Sequence, residues 1–142
     1  MDSEKNEPIR LLDVITGEVG QPRNDASPGS ALYAVPFKLS KEPTDIWVRA
    51  FIHAWEFPER FTSMHRPSIA RVEGNKIILD GTTIEEVEKY HLETLKLAIK
   101  RANETVVQET ARRGQLEAAA EERHRQHLQH VESVAKRLKL GS

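Results

Sequence analysis

The sequence predicts an α+β domain. We expect a small antiparallel or mixed sheet with a β-α-β-β-α core, one further strand at the N-terminus and a long helical extension at the C-terminus. Two observations support this prediction. Short runs of β-branched and aromatic residues lie between turn residues in the first half of the chain, and apolar residues recur at three- and four-residue steps in the second half.

A β-hairpin that leads into a helix joins these two halves. Its strands are the β-rich runs 69–72 and 76–79. Gly74 and Asn75 separate them and tolerate the positive φ of a tight turn. The segment therefore predicts two antiparallel strands that are neighbours in the sheet.

Two earlier segments also have strand character. The apolar run 8–19 predicts a strand with a turn at Thr16-Gly17, and the polar Pro/Gly-rich stretch 20–30 predicts a loop. The segment 32–39 alternates apolar and other residues with the period of a half-buried strand. Because Pro36 has no N–H to donate, we expect this strand to lie at an edge or to contain a bulge.

Capping residues mark the start of two helices. Thr44 is a predicted N-cap, and Pro58 ends the helix that follows it. The second helix begins after two overlapping capping boxes, Thr82 with Glu85 and Thr83 with Glu86. The first helix carries an apolar stripe, formed by Ile46, Trp47, Ala50, Phe51, Ala54 and Trp55.

The C-terminal part of the chain predicts an amphipathic helix with a seam close to the coiled-coil period. Gly114, preceded by two arginines, indicates a helix end or a weak point before it. Such a helix is marginal in water and needs something to pack against. We predict that the seam binds a protein partner through Leu116, Ala120, His124, Leu128, Val131, Ala135 and Leu138.

These patterns divide the 142 residues into three parts. Residues 1–30 form an N-terminal strand and loop, 31–113 an α+β core domain and 114–142 an assembly helix. The net charge of −1 provides no global field for nucleic acid or an anionic membrane. The N-terminus lacks the features of a signal peptide, no apolar run spans a bilayer, and no cysteine occurs. We therefore expect a cytoplasmic protein without a disulfide framework.

The loop after the first helix is the densest aromatic region of the sequence. If exposed, it would stack a base or grip a peptide; if buried, it would pack the helix onto the sheet. The balanced charge of residues 44–81 argues against a dedicated nucleic-acid face. The candidate ligand-binding residues of this loop are Phe57, Arg60, Phe61, Met64, His65 and Arg66.

The sequence contains few signs of a metal site or a catalytic site. His124, His127 and His130 follow Glu121 at three-residue steps, but His124 and His130 lie about 600° apart around a helix and cannot share one ion. His53, His65 and His91 are the candidates for catalysis, yet no nucleophile elbow, phosphate-binding loop or zinc motif accompanies them. We expect His91 to be a hydrogen-bonded core histidine.

The sequence thus predicts a non-enzymatic module for protein-protein interaction or assembly, without cofactor or metal. It would form a homodimer or higher oligomer, or dock another protein, through the C-terminal helix. The alternative is a nucleic-acid or small-ligand binding domain that uses the aromatic and basic loop 55–66. The residues do not indicate a membrane partner.

Overall fold

The computed structural model describes residues 7–60 and 62–138. Helix α1, Asp45–Glu56, lies between the second and third strands. Helix α2, Leu92–Arg137, follows a helical turn, Ile84–Glu86, and a π-helical turn, Val87–His91. The predicted α+β class, with a strand before the β-α-β-β-α core, is confirmed. The strands form one antiparallel sheet in the order β1-β2-β4-β3, namely β1 Leu11–Val14, β2 Tyr33–Leu39, β3 Ala70–Glu73 and β4 Lys76–Thr82.

One face of the sheet forms the hydrophobic core. Alternation along the strands places one set of side chains on this face, and Val35, Phe37, Leu39, Ile77 and Leu79 are almost completely buried there. Helix α1 contributes an aromatic side chain at every fourth residue to the same cluster, and α2 adds small and aliphatic residues from its first turns. These helix residues are Trp47, Phe51, Trp55, Leu95, Ala98, Ile99 and Ala102.

The local signals for the hairpin and the helix starts are confirmed. Gly74 has φ +59° in the turn between β3 and β4, where Glu73 pairs with Lys76. The Thr44 hydroxyl accepts a hydrogen bond from the Trp47 N–H at 3.3 Å. These contacts occupy backbone groups that a turn or a helix end would otherwise leave without partners.

Of the two overlapping capping boxes predicted for the second helix, Thr83 provides the cap, whereas Thr82 is the last residue of β4 and does not cap the helix. The Thr83 hydroxyl accepts from the Glu86 N–H at 3.1 Å, and the Tyr33 hydroxyl accepts from the Ile84 N–H at 2.9 Å. Two of the free N–H groups at this helix start therefore have side-chain acceptors. Because Tyr33 is on β2, one of these contacts also ties the helix start to the sheet.

Pro36 does not lie at an edge of the sheet. Strand β2 has β1 on one side and β4 on the other. The Pro36 carbonyl accepts from the Ile15 N–H at 2.9 Å, so the backbone of this residue faces β1. The edge alternative is therefore wrong. The β1–β2 register does shift between Leu11 and Val14, but this irregularity lies opposite residues 37–39 of β2 rather than at Pro36. The missing N–H faces Ile15, just past the end of β1, where the Ile15 carbonyl accepts from the Glu18 N–H at 2.9 Å instead.

The chain divides into two compact units, Met1–Val106 and Val107–Ser142. Helix α2 is continuous through Gly114, so the expected helix end at this residue is wrong. A glycine costs about 1 kcal/mol in a helix interior. Neighbours with high helix propensity, Ala111, Arg112 and Arg113 before it and Gln115 and Leu116 after it, are sufficient to carry the helix across this position.

Candidate functional site

The predicted partner-binding seam lies on an exposed part of α2. All seven of its residues are exposed. Leu116 and Leu138 expose 55% and 53% of their surface, and Leu128 and Val131 expose 47% and 46%. Large apolar side chains on a stable helix are normally covered, so a row of them in water marks a surface available for packing.

The seam has a longer period than an ideal left-handed coiled coil. From Leu116 to Leu138 it advances 22 residues in six steps, or about 3.7 residues per step, whereas a heptad seam has a period of 3.5. Two helices joined along it are therefore expected to pack nearly straight or with a slight right-handed twist. His124 and Ala120 make the middle of the seam narrower and more polar than its C-terminal end.

Charged pairs support the helix around the seam. Glu109 pairs with Arg112 and, at 3.5 Å, with Arg113. Glu122 pairs with Arg125 and accepts a hydrogen bond from Gln126 at 3.1 Å. In each case the carboxylate is N-terminal to its partner by three or four residues, which is the favourable order along a helix. These pairs stabilise the helix without covering the seam.

The candidate ligand-binding loop is only partly exposed. Phe57 exposes 69% of its surface and contacts the His53 ring at a centroid distance of 5.0 Å. Arg60 is also exposed, whereas Phe61 lies outside the described residues. A cavity of about 60 Å³ lies beside Phe57. That volume is well below the roughly 300 to 1,000 Å³ that is typical of small-molecule sites.

The remaining loop residues, Met64, His65 and Arg66, are half-buried. The Arg66 guanidinium pairs with Glu86 at 2.7 Å and donates to the Gly81 carbonyl at 3.2 Å. The Thr82 hydroxyl donates to the second Glu86 oxygen at 2.9 Å. Arg66 is therefore used to fix the loop against β4 and the start of the helix, rather than being presented to a ligand.

Trp55 connects this loop to a buried histidine. Its indole N–H donates to the Arg66 carbonyl at 3.1 Å, and the His65 ring Nε2 donates to the Trp55 carbonyl at 2.9 Å. The rings of His65 and His91 lie 4.8 and 5.8 Å from the Trp55 ring, measured between centroids. The structure thus brings two of the three candidate catalytic histidines to one tryptophan, while His53 is exposed elsewhere on α1.

His91 is completely buried at the end of the π-helical turn. The expected burial of His91 in the core is confirmed. The expected hydrogen bond is wrong, since neither ring nitrogen has a partner within the described part of the chain. Burial lowers the pKa of His91 from its usual value of 6.5. Glu86 opposes this shift, and His65 and Arg66 reinforce it. Burial therefore favours the neutral form of the His91 ring.

The described residues contain no group of three or more His, Cys, Asp or Glu side chains placed to hold a metal ion. In the same residues, no helix combines the length and the apolar character needed to cross a bilayer. The structure defines an α+β protein whose helical C-terminal unit presents an exposed apolar seam. Comparisons with models of known families, with curated proteins and with solved structures found no match to this chain.

Proposed function

We propose that this protein is a non-enzymatic assembly module and that the seam of α2 pairs with the same seam of a second copy. The observation that supports this most strongly is the exposure of Leu116, Leu128, Val131 and Leu138 along one continuous helix. Burial of apolar surface provides about 25 cal/mol per Å². A second helix is the simplest element that covers a straight, narrow stripe of this kind.

The charges beside the seam favour a second copy as the partner. Between Val107 and Leu138 the helix carries five acidic and six basic side chains, which are interspersed. A helix with one sign of charge repels itself and requires an oppositely charged partner. A helix with both signs in nearly equal number can instead match its own surface.

We expect the assembly to be weak. Only four of the seven seam residues are large and apolar, and each already hides about half of its surface. Association costs about 4 to 15 kcal/mol of translational and rotational freedom, which offsets much of the gain from burial. A dissociation constant in the range of roughly 1 to 100 µM is therefore expected. Since the sequence has no cysteine, the fold does not depend on disulfides or on an oxidising compartment, which is compatible with the cytoplasm, where we place this assembly.

Sedimentation velocity on the full chain tests the proposal. The mass should rise from monomer towards dimer between about 1 and about 200 µM. The double variant Leu128→Glu with Val131→Glu should stay monomeric, because two carboxylates replace the largest apolar part of the seam. The matched control, Gln129→Glu with Ser133→Glu, adds the same charge on the opposite side of the helix and should still associate.

Two results would reject homotypic pairing. The first is a wild-type monomer across the whole concentration range. The second is equal loss of association in the seam variant and in the control variant. That result would mean that the added negative charge, rather than damage to the seam, prevents association. Circular dichroism of both variants at low concentration shows whether the helix itself has survived the substitutions.

A further inference from the structure

A groove of about 460 Å³ lies between the start of β1 and the first turns of α2. Its volume is within the range of about 300 to 1,000 Å³ that is typical of ligand sites. The floor is apolar, because Ile9 and Ile99 are buried there and Leu11 is half-buried. Three exposed cationic side chains also line the groove: Arg10, Lys96 and Lys100.

Among the residues that the structure describes, these cations have no carboxylate partner. Elsewhere in the same unit, Arg66 pairs with Glu86 and Arg101 pairs with Glu59. No residue in the ranges 7–60 and 62–138 forms an ion pair with the side chains of the three groove cations. The groove lining includes one carboxylate, that of Glu104, so its charge is positive overall.

The positions of Lys96 and Lys100 add to this positive charge. They are four residues apart on α2 and therefore lie next to each other on the helix surface. Like charges at this spacing destabilise a helix slightly. An anionic group bound between them would remove that repulsion.

The open edge of the sheet lies at the same groove. Among the described strands, β1 has β2 as its one neighbour and so lies at an edge of the sheet. The Ser40 N–H donates to the Arg10 carbonyl at 2.8 Å, so the backbone of Arg10 faces β2. Backbone groups of successive strand residues point to opposite sides, so the N–H and C=O of Ile9 and Leu11 both face away from β2. The backbone of Ile9 is bonded to the Asn103 amide, so Leu11 is the groove residue whose N–H and C=O can pair with an added strand. An extended peptide can add to a sheet at such a position.

We propose that the groove binds an extended, acidic segment of a partner protein, which adds a short strand beside β1. Its backbone pairs with Leu11, its apolar side chains pack against the half-buried side chain of Leu11, and its carboxylates pair with the groove cations. The irregular register of β1 between Leu11 and Val14 limits the added strand to a few residues. This proposal is independent of pairing through the α2 seam.

Fluorescence anisotropy with the full chain tests this inference. The probe is a labelled peptide of nine residues, chosen as about the length of an ordinary strand, that alternates valine and glutamate. A peptide with lysine in place of glutamate, and a glutamate peptide with every backbone nitrogen methylated, serve as comparison probes. We expect the glutamate peptide to bind at roughly 10 to 100 µM and the other two to bind at least about tenfold more weakly.

Variants locate the binding surface. Lys96→Glu with Lys100→Glu should weaken binding of the glutamate peptide by more than about tenfold, because two attractive charges become repulsive. The matched control, Lys38→Glu with Arg49→Glu, changes two exposed cations outside the groove. Its affinity for the glutamate peptide should stay within about twofold of the wild-type affinity, because salt screens charges that are distant from the bound peptide.

The proposal is overturned by any of four results: no binding of the glutamate peptide at about 1 mM, equal binding of the lysine peptide, equal loss in both double variants, or undiminished binding of the methylated peptide. The last result would mean that charge acts without strand addition. Vesicles of anionic phosphatidylglycerol that bind in place of the peptide, with the same dependence on Lys96 and Lys100, would assign the groove to a membrane surface instead.

Discussion

Asn103 and Ile9 exchange two hydrogen bonds, although they are 94 positions apart in the chain. The Ile9 N–H donates to the Asn103 amide oxygen, and the Asn103 amide N–H donates to the Ile9 carbonyl, each at 2.9 Å. The same amide oxygen accepts from the Trp47 indole N–H at 2.9 Å. One side chain of α2 thus fixes both the entry to β1 and the start of α1.

Replacement of this amide should destabilise the core unit. Asn103→Leu leaves the Ile9 backbone and the Trp47 indole without partners in a part-buried site, and each such loss costs about 1 to 3 kcal/mol. We expect the free energy of unfolding in urea to fall by about 2 to 4 kcal/mol. Glu104→Ala, at the exposed next position, should change it by less than about 0.5 kcal/mol. Equal effects of the two substitutions would contradict the role assigned to Asn103.

The buried imidazole of His91 should make stability depend on pH. In the unfolded chain His91 titrates near its usual pKa of 6.5, and in the folded protein its pKa is lower because the ring is buried. The unfolded state therefore binds the proton first as the pH falls. The free energy of unfolding should decrease as the pH is lowered from about 7.5 through about 6.5 and towards the folded-state pKa.

Urea titrations at several pH values measure this dependence. His91→Leu should reduce the slope of stability against pH below about 6.5, since a side chain that cannot be protonated replaces the buried ring. His130→Gln, which removes an exposed histidine of α2, should leave the slope unchanged. If His91→Leu keeps the full slope, His91 does not have the lowered pKa in solution.

The ion pair between Arg66 and Glu86 should hold the loop after α1 in place. Their side chains are 29% and 17% exposed, so the pair is better shielded from water than an ordinary surface pair. Arg66→Ala should cost about 2 kcal/mol, because it removes hydrogen bonds of a charged group and leaves Glu86 without this partner. Urea unfolding and amide exchange of residues 62–68 provide the measurements.

Arg60 offers a control in the same loop, as it is an exposed arginine. Arg60→Ala should change neither the stability nor amide exchange by an amount that can be measured, because surface substitutions are usually within about 0.5 kcal/mol. A larger loss for Arg60→Ala than for Arg66→Ala would indicate that Arg60, rather than Arg66, anchors the loop.

Gly114 should be a site where alanine stabilises α2. A Cβ added at this residue meets no atom within 4 Å, and Gly114 is not among the glycines with positive φ. Gly114→Ala should therefore gain about 1 kcal/mol of local helix stability from propensity alone. Amide exchange along residues 107–138 should slow, and the helical circular dichroism signal should persist to higher temperature.

Gly74 provides the opposite case for the same substitution. Its φ is +59° in the hairpin turn, a conformation that costs alanine about 1 kcal/mol or more. Gly74→Ala should lower the stability of the core unit, although open space surrounds its added Cβ as well. If both alanine variants shift stability in the same direction, backbone conformation is not what distinguishes the two glycines.

The sequence alone determined the elements that depend on near neighbours in the chain. The Gly74 turn, the Thr44 and Thr83 caps and the aromatic stripe of α1 each involve residues within a few positions, so their physical causes are visible in the sequence. The exposed seam of α2 follows from the same kind of periodicity. These signals were sufficient to predict the class of fold and the order of its elements.

The tertiary structure decided which distant groups meet. The sheet order placed β2 in the interior and turned the backbone of Pro36 towards Ile15, just past the end of β1. The folding of the chain also paired Arg66 with Glu86 and Ile9 with Asn103. It also buried His91 without a hydrogen-bond partner among the described residues and gathered Arg10, Lys96 and Lys100 around one groove. Such contacts depend on how all the helices and strands together bury their apolar faces. That arrangement cannot be predicted from the pattern of residues within any one element.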